Sequence, residues 1–300
     1  MRPFYQISTF IYVIIIVSLI AVPIFLVNDQ HIQTQQNAPK NELTQTDPDE
    51  AYLVGVVAAE MPAVFEIEAL RAQAVAARSY AAYIKSHNNG IISASHKNAQ
   101  EYRPIESHRD EWGSNYDTFK HKITDAVRST ARNVITFNGN IILAAYFSSS
   151  AGNTETAKDV WGESIPYLIS VPSPWDRTVD HHANEYKTIS LNELRKSLQL
   201  KKAIPVWSVY PSGITSGGNV KDITVGPLKI KATDFRRKLN LYSTAISIQY
   251  DSRSIKIHTR GNGHGVGMSQ WGAQALALKG WKWQDIIHHY YTNVKIESVS

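Results

Sequence analysis

Residues 48–87 read PDEAYLVGVVAAEMPAVFEIEALRAQAVAARSYAAYIKSH, and the punctuation of this stretch decides what kind of fold follows. Pro48, Asp49 and Glu50 suit the first turn of a helix, where a missing N–H costs nothing and acidic groups face the positive end of the dipole. The apolar run Ala51–Glu60 continues that helix. Pro62 ends it, because the residue before a proline disfavours helical backbone. A second helix is expected over about Glu66 to His87, with Ile67, Leu70, Ala74, Ala77, Ala81 and Ile84 at helical spacing. Alanines at 72, 74, 76, 77, 81 and 82 allow neighbouring helices to approach closely.

Downstream the pattern changes. The polar stretch 88–115 has no assignable period. Val134–Phe137 and Ile141–Phe147 flank Asn138-Gly139, a hairpin signal because Asn-Gly supplies the positive φ angles of a type I′ turn. Tyr186–Leu191 reads as a strand leading into the capping box Ser190…Glu193 and a short helix. Leu228–Lys231 leads similarly into Thr233–Leu239. Ile246, Ile248 and Tyr250 alternate, as do Ile255 and Ile257, around Asp251-Ser252, which predicts another hairpin. Gln270–Tyr291 reads as a helix, a break at Gly280 and a second helix. The mixture is α+β: a helix-rich core with β-hairpins and a small inserted strand–helix region.

Upstream, Phe10–Val27 is apolar except for Ser18 and Pro23. As a helix it would reach about 27 Å, close to the hydrocarbon thickness of a bilayer. No small-x-small cleavage site precedes Asn28, so an uncleaved transmembrane anchor is expected rather than a signal peptide. Arg2 places the short N-terminus, residues 1–9, in the cytoplasm. Residues 28–48 are rich in Gln, Asn, Thr and Asp and read as a flexible linker. The exported domain is then 49–300. The whole chain of 300 residues is 43% hydrophobic and 19% charged with net charge +5, a balance that excludes a disordered or polytopic protein. The excess of positive charge suits an anionic wall or lipid surface and is too diffuse to argue for nucleic acid. No cysteine is present, so disulfides, cysteine nucleophiles and thiolate zinc sites are excluded.

Four groups of residues could carry chemistry. Glu60 follows an apolar stretch and lies at a helix C-terminus. Both features raise a carboxyl pKa and suit a general acid. The alternative is an N-cap or surface glutamate beside a Met-Pro turn. Gly261–Gly272 (GNGHGVGMSQWG) allows close backbone approach to a ligand, with His264 and Gln270 as polar groups and Trp271 as a sugar-stacking face. It has neither dinucleotide-fingerprint nor P-loop spacing, and it reads equally as a tight turn before a helix with Ser269 near the cap. Tyr146–Glu155 leaves an apolar strand into a polar loop, without a Gly-x-Ser-x-Gly elbow. The pairs His181-His182 and His288-His289 lack zinc-ligand spacing.

Together these segments resemble one family. Ala58–Pro62, Ala69–Tyr80, Tyr146–Ser150 with Thr154-Glu155, Trp161-Gly162, Pro166–Leu168, Ser173–Asp176 and above all Gly263–Ala273 are similar, in order, to the stage II sporulation protein D family. The resemblance spans about 49–296 and extends to the N-terminal anchor. It implies a peptidoglycan lytic transglycosylase that cleaves denuded glycan strands during engulfment of the forespore. It implies no cofactor, and it implies action beside stage II sporulation proteins P, an amidase, and M, a membrane protein. It places the catalytic acid on Glu60 and substrate-cleft positions on Arg78, Ser149, Trp161, His264 and Gln270. Arg78 would orient Glu60 or hold a lactyl or N-acetyl group. The cysteine-bound zinc of some members does not transfer. Should a second carboxylate be needed, Glu155 and Asp176 are the candidates. A wall-binding amidase enhancer and a metal-dependent hydrolase using His264 and His288 are the rival readings.

Overall fold

The computed structural model describes residues 48–87, 100–180 and 183–299. The apolar run 10–27, nearly all of the linker and the pair His181-His182 lie outside these residues. Among the described residues no helix is long and apolar enough to cross a membrane. The described residues fall in one compact unit.

The opening pair of helices forms as the punctuation requires: α1 spans Pro48–Glu60 and α2 spans Ile67–His87. The turn between them is closed by the Phe65 amide donating to the Pro62 carbonyl at 3.0 Å. Helix α2 is not a one-sided amphipathic helix. Ala69, Leu70, Ala72, Ala74, Val75, Ala76 and Ala77 are all buried, and so are Gln73 and Ser79. Small side chains on every face let several elements pack against it, so α2 is the axis of the core.

Short helical turns cover Ile105–His108, Arg109–Trp112 and Gly113–Asn115. They lead into α3, Tyr116–Arg128, which the sequence reading leaves unassigned and which buries Ile123, Ala126 and Val127. Strand β1, Asn133–Phe137, turns through Asn138 and Gly139, both at positive φ, into β2, Asn140–Ile141. The expected return strand to Phe147 stops there. Ile142, Ala144 and Ala145 are all buried, so the chain dives into the core instead of continuing a two-faced hairpin. Strand β3, Tyr146–Phe147, follows as a separate element. Next come α4, Ala157–Trp161, and α5, Asp176–Val179.

An excursion then leaves the core. It contains β4 (Asn184–Ser190), α6 (Leu191–Ser197), β5 (Val209–Ile214), β6 (Val220–Val225), β7 (Leu228–Lys231), α7 (Ala232–Leu239), β8 (Ala245–Tyr250) and β9 (Ser254–Arg260). The capping box predicted at Ser190 and Glu193 is present. Two antiparallel sheets, β4-β9-β8 and β5-β6-β7, enclose a second core around Leu194, Ile223, Phe235 and Ile255. The Gly261 amide donates to the Ala183 carbonyl at 2.7 Å, so the excursion leaves and returns at neighbouring points.

The chain closes with β10 (Met268–Ser269), α8 (Gln270–Leu278), α9 (Trp283–Tyr290) and β11 (Lys295–Ser298). β11 pairs antiparallel with β1, and β10 pairs parallel with β3 in the register Met268↔Tyr146, Ser269↔Phe147. Gly267, at φ +79°, makes this last pairing possible: a Cβ there would drive into the Ala145 carbonyl. Gly267→Ala combines left-handed strain with overpacking and is expected to destabilise by about 2–5 kcal/mol. Chemical denaturation of the purified variant checks this.

Candidate functional site

The register of β3 against β10 brings the two halves of the chain to one cleft of about 290 Å³. Glu60, Tyr80, Gln100, Leu143, Ala145, Tyr146, Trp161 and His264 line it. Glu60 is the last residue of α1, so the negative end of that helix adds to its burial among apolar neighbours. One carboxyl oxygen, Oε1, accepts from the Glu101 amide at 2.7 Å and from the Tyr146 hydroxyl at 3.3 Å. The other, Oε2, accepts from Gln270 Nε2 at 3.3 Å. The Glu101 amide can reach it because Gly55 has no side chain, which lets the Tyr102 ring and the Arg103 carbonyl lie directly on α1. Burial holds the Glu60 pKa above the ordinary carboxylate range, against the lowering effect of these donors. Burial and the nearby Glu60 charge also raise the Tyr80 and Tyr146 phenols, which remain protonated donors.

The opposite wall is Trp161 and His264, whose ring centroids are 5.5 Å apart. Trp161 ends α4 and is 43% exposed, an indole face open to a ligand. His264 accepts from the Val266 amide at 3.1 Å through Nδ1. Burial, and secondly the charge of Arg236, lower its pKa to about 4, so it is neutral at physiological pH.

Glu60, Trp161, His264 and Gln270 thus meet at one place, but Arg78 does not join them. Its guanidinium donates to the carbonyls of Val127, Thr130 and Asn133 at 3.0, 2.9 and 3.3 Å and pairs with Glu50 at 3.1 Å. The expected substrate contact is corrected to a structural one. One position two residues along a helix points to another face, and it is Tyr80 that reaches the cleft. Ser149 is buried, and its backbone exchanges hydrogen bonds of 2.9 and 2.8 Å with Asn262, which anchors the glycine segment. Its side chain does not line the cleft.

Neither proposed second carboxylate is there. Glu155 is buried under Gly265, where its Oε1 accepts from Thr215 Oγ1 at 2.8 Å. Asp176 is buried behind α8. It accepts from the Ser150 amide and the Ser173 hydroxyl, each at 2.6 Å, and from the Ser269 hydroxyl, and burial pushes its pKa up to about 6. Among the described residues lining the cleft, Glu60 is the only carboxyl. His288 and His289 line a different groove, beside Trp281, so His264 and His288 do not form a joint metal centre. Among the described residues no three His, Cys, Asp or Glu side chains gather as a metal site.

The sequence reading does not name Tyr80, Gln100 or Tyr146 individually as cleft residues. Tyr146 carried a signal, since it is the residue that opens the strand-exit segment. Gln100 carried none, because it belongs to the polar stretch without periodicity.

A family model described as SpoIID, Stage II sporulation protein, matches residues 39–137. The chain is 37% identical over 262 residues to Stage II sporulation protein D of Bacillus subtilis (strain 168), covering 85% of this chain and 76% of that protein. Identity and coverage are the same for Stage II sporulation protein D of Bacillus amyloliquefaciens. The Amidase enhancer of Bacillus subtilis (strain 168) is 29% identical over 303 residues, covering 82% of this chain and 40% of that protein.

Proposed function

The chain belongs to the stage II sporulation protein D family, and on that premise we propose that it is a peptidoglycan lytic transglycosylase acting on glycan strands stripped of their stem peptides. The observation that carries this reading is the carboxyl of Glu60, the only one among the described residues lining the cleft, with its raised pKa. A glycosidase that activates water needs a second carboxylate across the sugar. Intramolecular attack by the muramyl C6 hydroxyl does not. Glu60 donates its proton to the bridging oxygen as the C1–O bond breaks. The resulting carboxylate takes the proton of the C6 hydroxyl as O6 bonds to C1. The products are a 1,6-anhydromuramyl end and a free 4-hydroxyl, with no water consumed. Trp161 offers a stacking face for a sugar ring, and Gln270 and Tyr146 hold the two oxygens of Glu60 in place.

In this reading the apolar run 10–27 anchors the protein in the membrane, with the cleft on the extracytoplasmic side. Stage II sporulation protein P would supply stripped strands, and stage II sporulation protein M would share the membrane. A second reading, a wall-binding module that stimulates an amidase, is favoured by the similarity to a protein named Amidase enhancer.

The purified full chain, incubated with peptide-free and peptide-bearing strands, separates the two. Mass spectrometry of the ends is expected to find anhydromuramyl products from peptide-free strands only. Reducing ends would mean hydrolysis, and binding without any new ends would leave the amidase-stimulating reading.

A further inference from the structure

The cleft of Glu60 continues past Trp161 and His264. Both side chains also line a second groove of about 450 Å³, whose far wall is α7 and the turn after it, with Arg236, Arg237, Asn240 and Thr244. The two arginines differ. Arg237 is exposed and pairs with Asp234 one turn back, at 2.8 Å. Arg236 is half-buried. Its Nε donates to the Tyr242 carbonyl at 2.9 Å, and among the described residues no carboxylate pairs with it and no acceptor meets Nη1 or Nη2. Burial alone governs its pKa, downward, with no neighbouring charge opposing it, while its own charge is felt by His264. A partly desolvated guanidinium that no described carboxylate meets carries a desolvation cost. Its free edge presents parallel donors that fit a two-oxygen anion.

We propose that Arg236 binds the lactyl carboxylate of a muramyl residue laid across Trp161, and that this contact distinguishes peptide-free from peptide-bearing glycan. The inference rests on the transglycosylase reading and names what selects its substrate. A stripped strand is made of otherwise uncharged sugars and carries one carboxylate wherever a stem peptide has been removed. With the peptide attached, the same carbonyl is an amide: the anion is missing and a chain of residues stands in its place. Hydrolysis of that amide is therefore the class of reaction that must precede this one. The groove would read the charge created by that step, and neutral His264 beside it leaves the anion to Arg236.

The test alters the ligand first. Peptide-free strands are compared with the same strands after conversion of their lactyl carboxylates to carboxamides, by calorimetric titration of full-length Glu60→Gln, so that the strand is not consumed. Loss of one charge-assisted contact is expected to weaken binding about 10–100-fold. Arg236→Gln in the same background binds both strands equally, at the weak level, and Arg236→Lys recovers part of the preference. Circular dichroism confirms that each variant is folded, and the ligand comparison stands without any variant. Equal binding of the two strands, or a preference that survives Arg236→Gln, overturns the proposal. End-group analysis with the Glu60 protein runs in parallel. Anhydromuramyl ends without discrimination would sink only the Arg236 assignment, and discrimination without such ends would sink only the transglycosylase reading.

Discussion

Glu60→Gln is expected to lower the rate of anhydromuramyl-end formation by roughly 10³-fold or more while the protein stays folded. In the proposed mechanism one group supplies the proton that the leaving oxygen needs and removes the one that the attacking hydroxyl must lose. General acid–base catalysis contributes about 10²–10⁴ for a single positioned group. Glutamine keeps the shape and an acceptor oxygen but can neither give nor take that proton. The pH profile carries the same claim. The reacting form is the protonated acid, so activity is present below the raised pKa of Glu60 and falls as pH rises through it. Gln270→Ala deletes a donor that stabilises the carboxylate. The Glu60 pKa then rises further, and the alkaline limb shifts to higher pH. Tyr146→Phe is expected to act in the same direction. An alkaline limb that stays put in both variants would show that another group governs the rate. Stability follows the same sign. Glu60 favours the folded state while protonated, and that contribution is lost as pH rises through its folded pKa. The loss is absent in Glu60→Gln.

Arg78→Gln is expected to strike stability and spare the chemistry. The guanidinium is almost wholly enclosed and ties Glu50 of α1 to three carbonyls at the end of α3 and the start of β1. Removing one partner of such a buried pair leaves a carboxylate and several acceptors without donors, at a cost of about 3–5 kcal/mol. For a domain of this size that corresponds to roughly 6–20 °C in Tm. Arg78→Lys keeps the charge and restores part of the loss. Turnover per folded molecule, measured well below the transition, is expected to match wild type. A fall in kcat with Tm unchanged would return Arg78 to the cleft.

These two residues show what could be read from the chain alone. Proline punctuation and alanine content place α1 and α2, whereas an apolar run ending in a lone acid makes Glu60 a candidate beside the reading of a surface glutamate, and the family resemblance chooses between them. Asn138-Gly139 and Ser190…Glu193 act locally, through φ and capping, and were legible for that reason. The strand expected to run on to Phe147 was not, because a continuous apolar run says that it is buried without saying what covers it. The partner of β3 is β10, more than a hundred residues away. Arg78 enters the sequence reading through the family resemblance, and Arg236 only as one of the basic residues of the helix Thr233–Leu239. Only tertiary partners separate the one enclosed by carbonyls from the one that no described carboxylate meets.

The hydrogen bond between Glu60 and Gln270 joins residues 210 positions apart. A ribosome therefore finishes most of the polypeptide before the second wall of the cleft exists. A nascent or prematurely terminated chain that stops short of the glycine segment carries the acid but lacks His264 and Gln270. The order of synthesis thus leaves the cleft unassembled until the chain is almost complete.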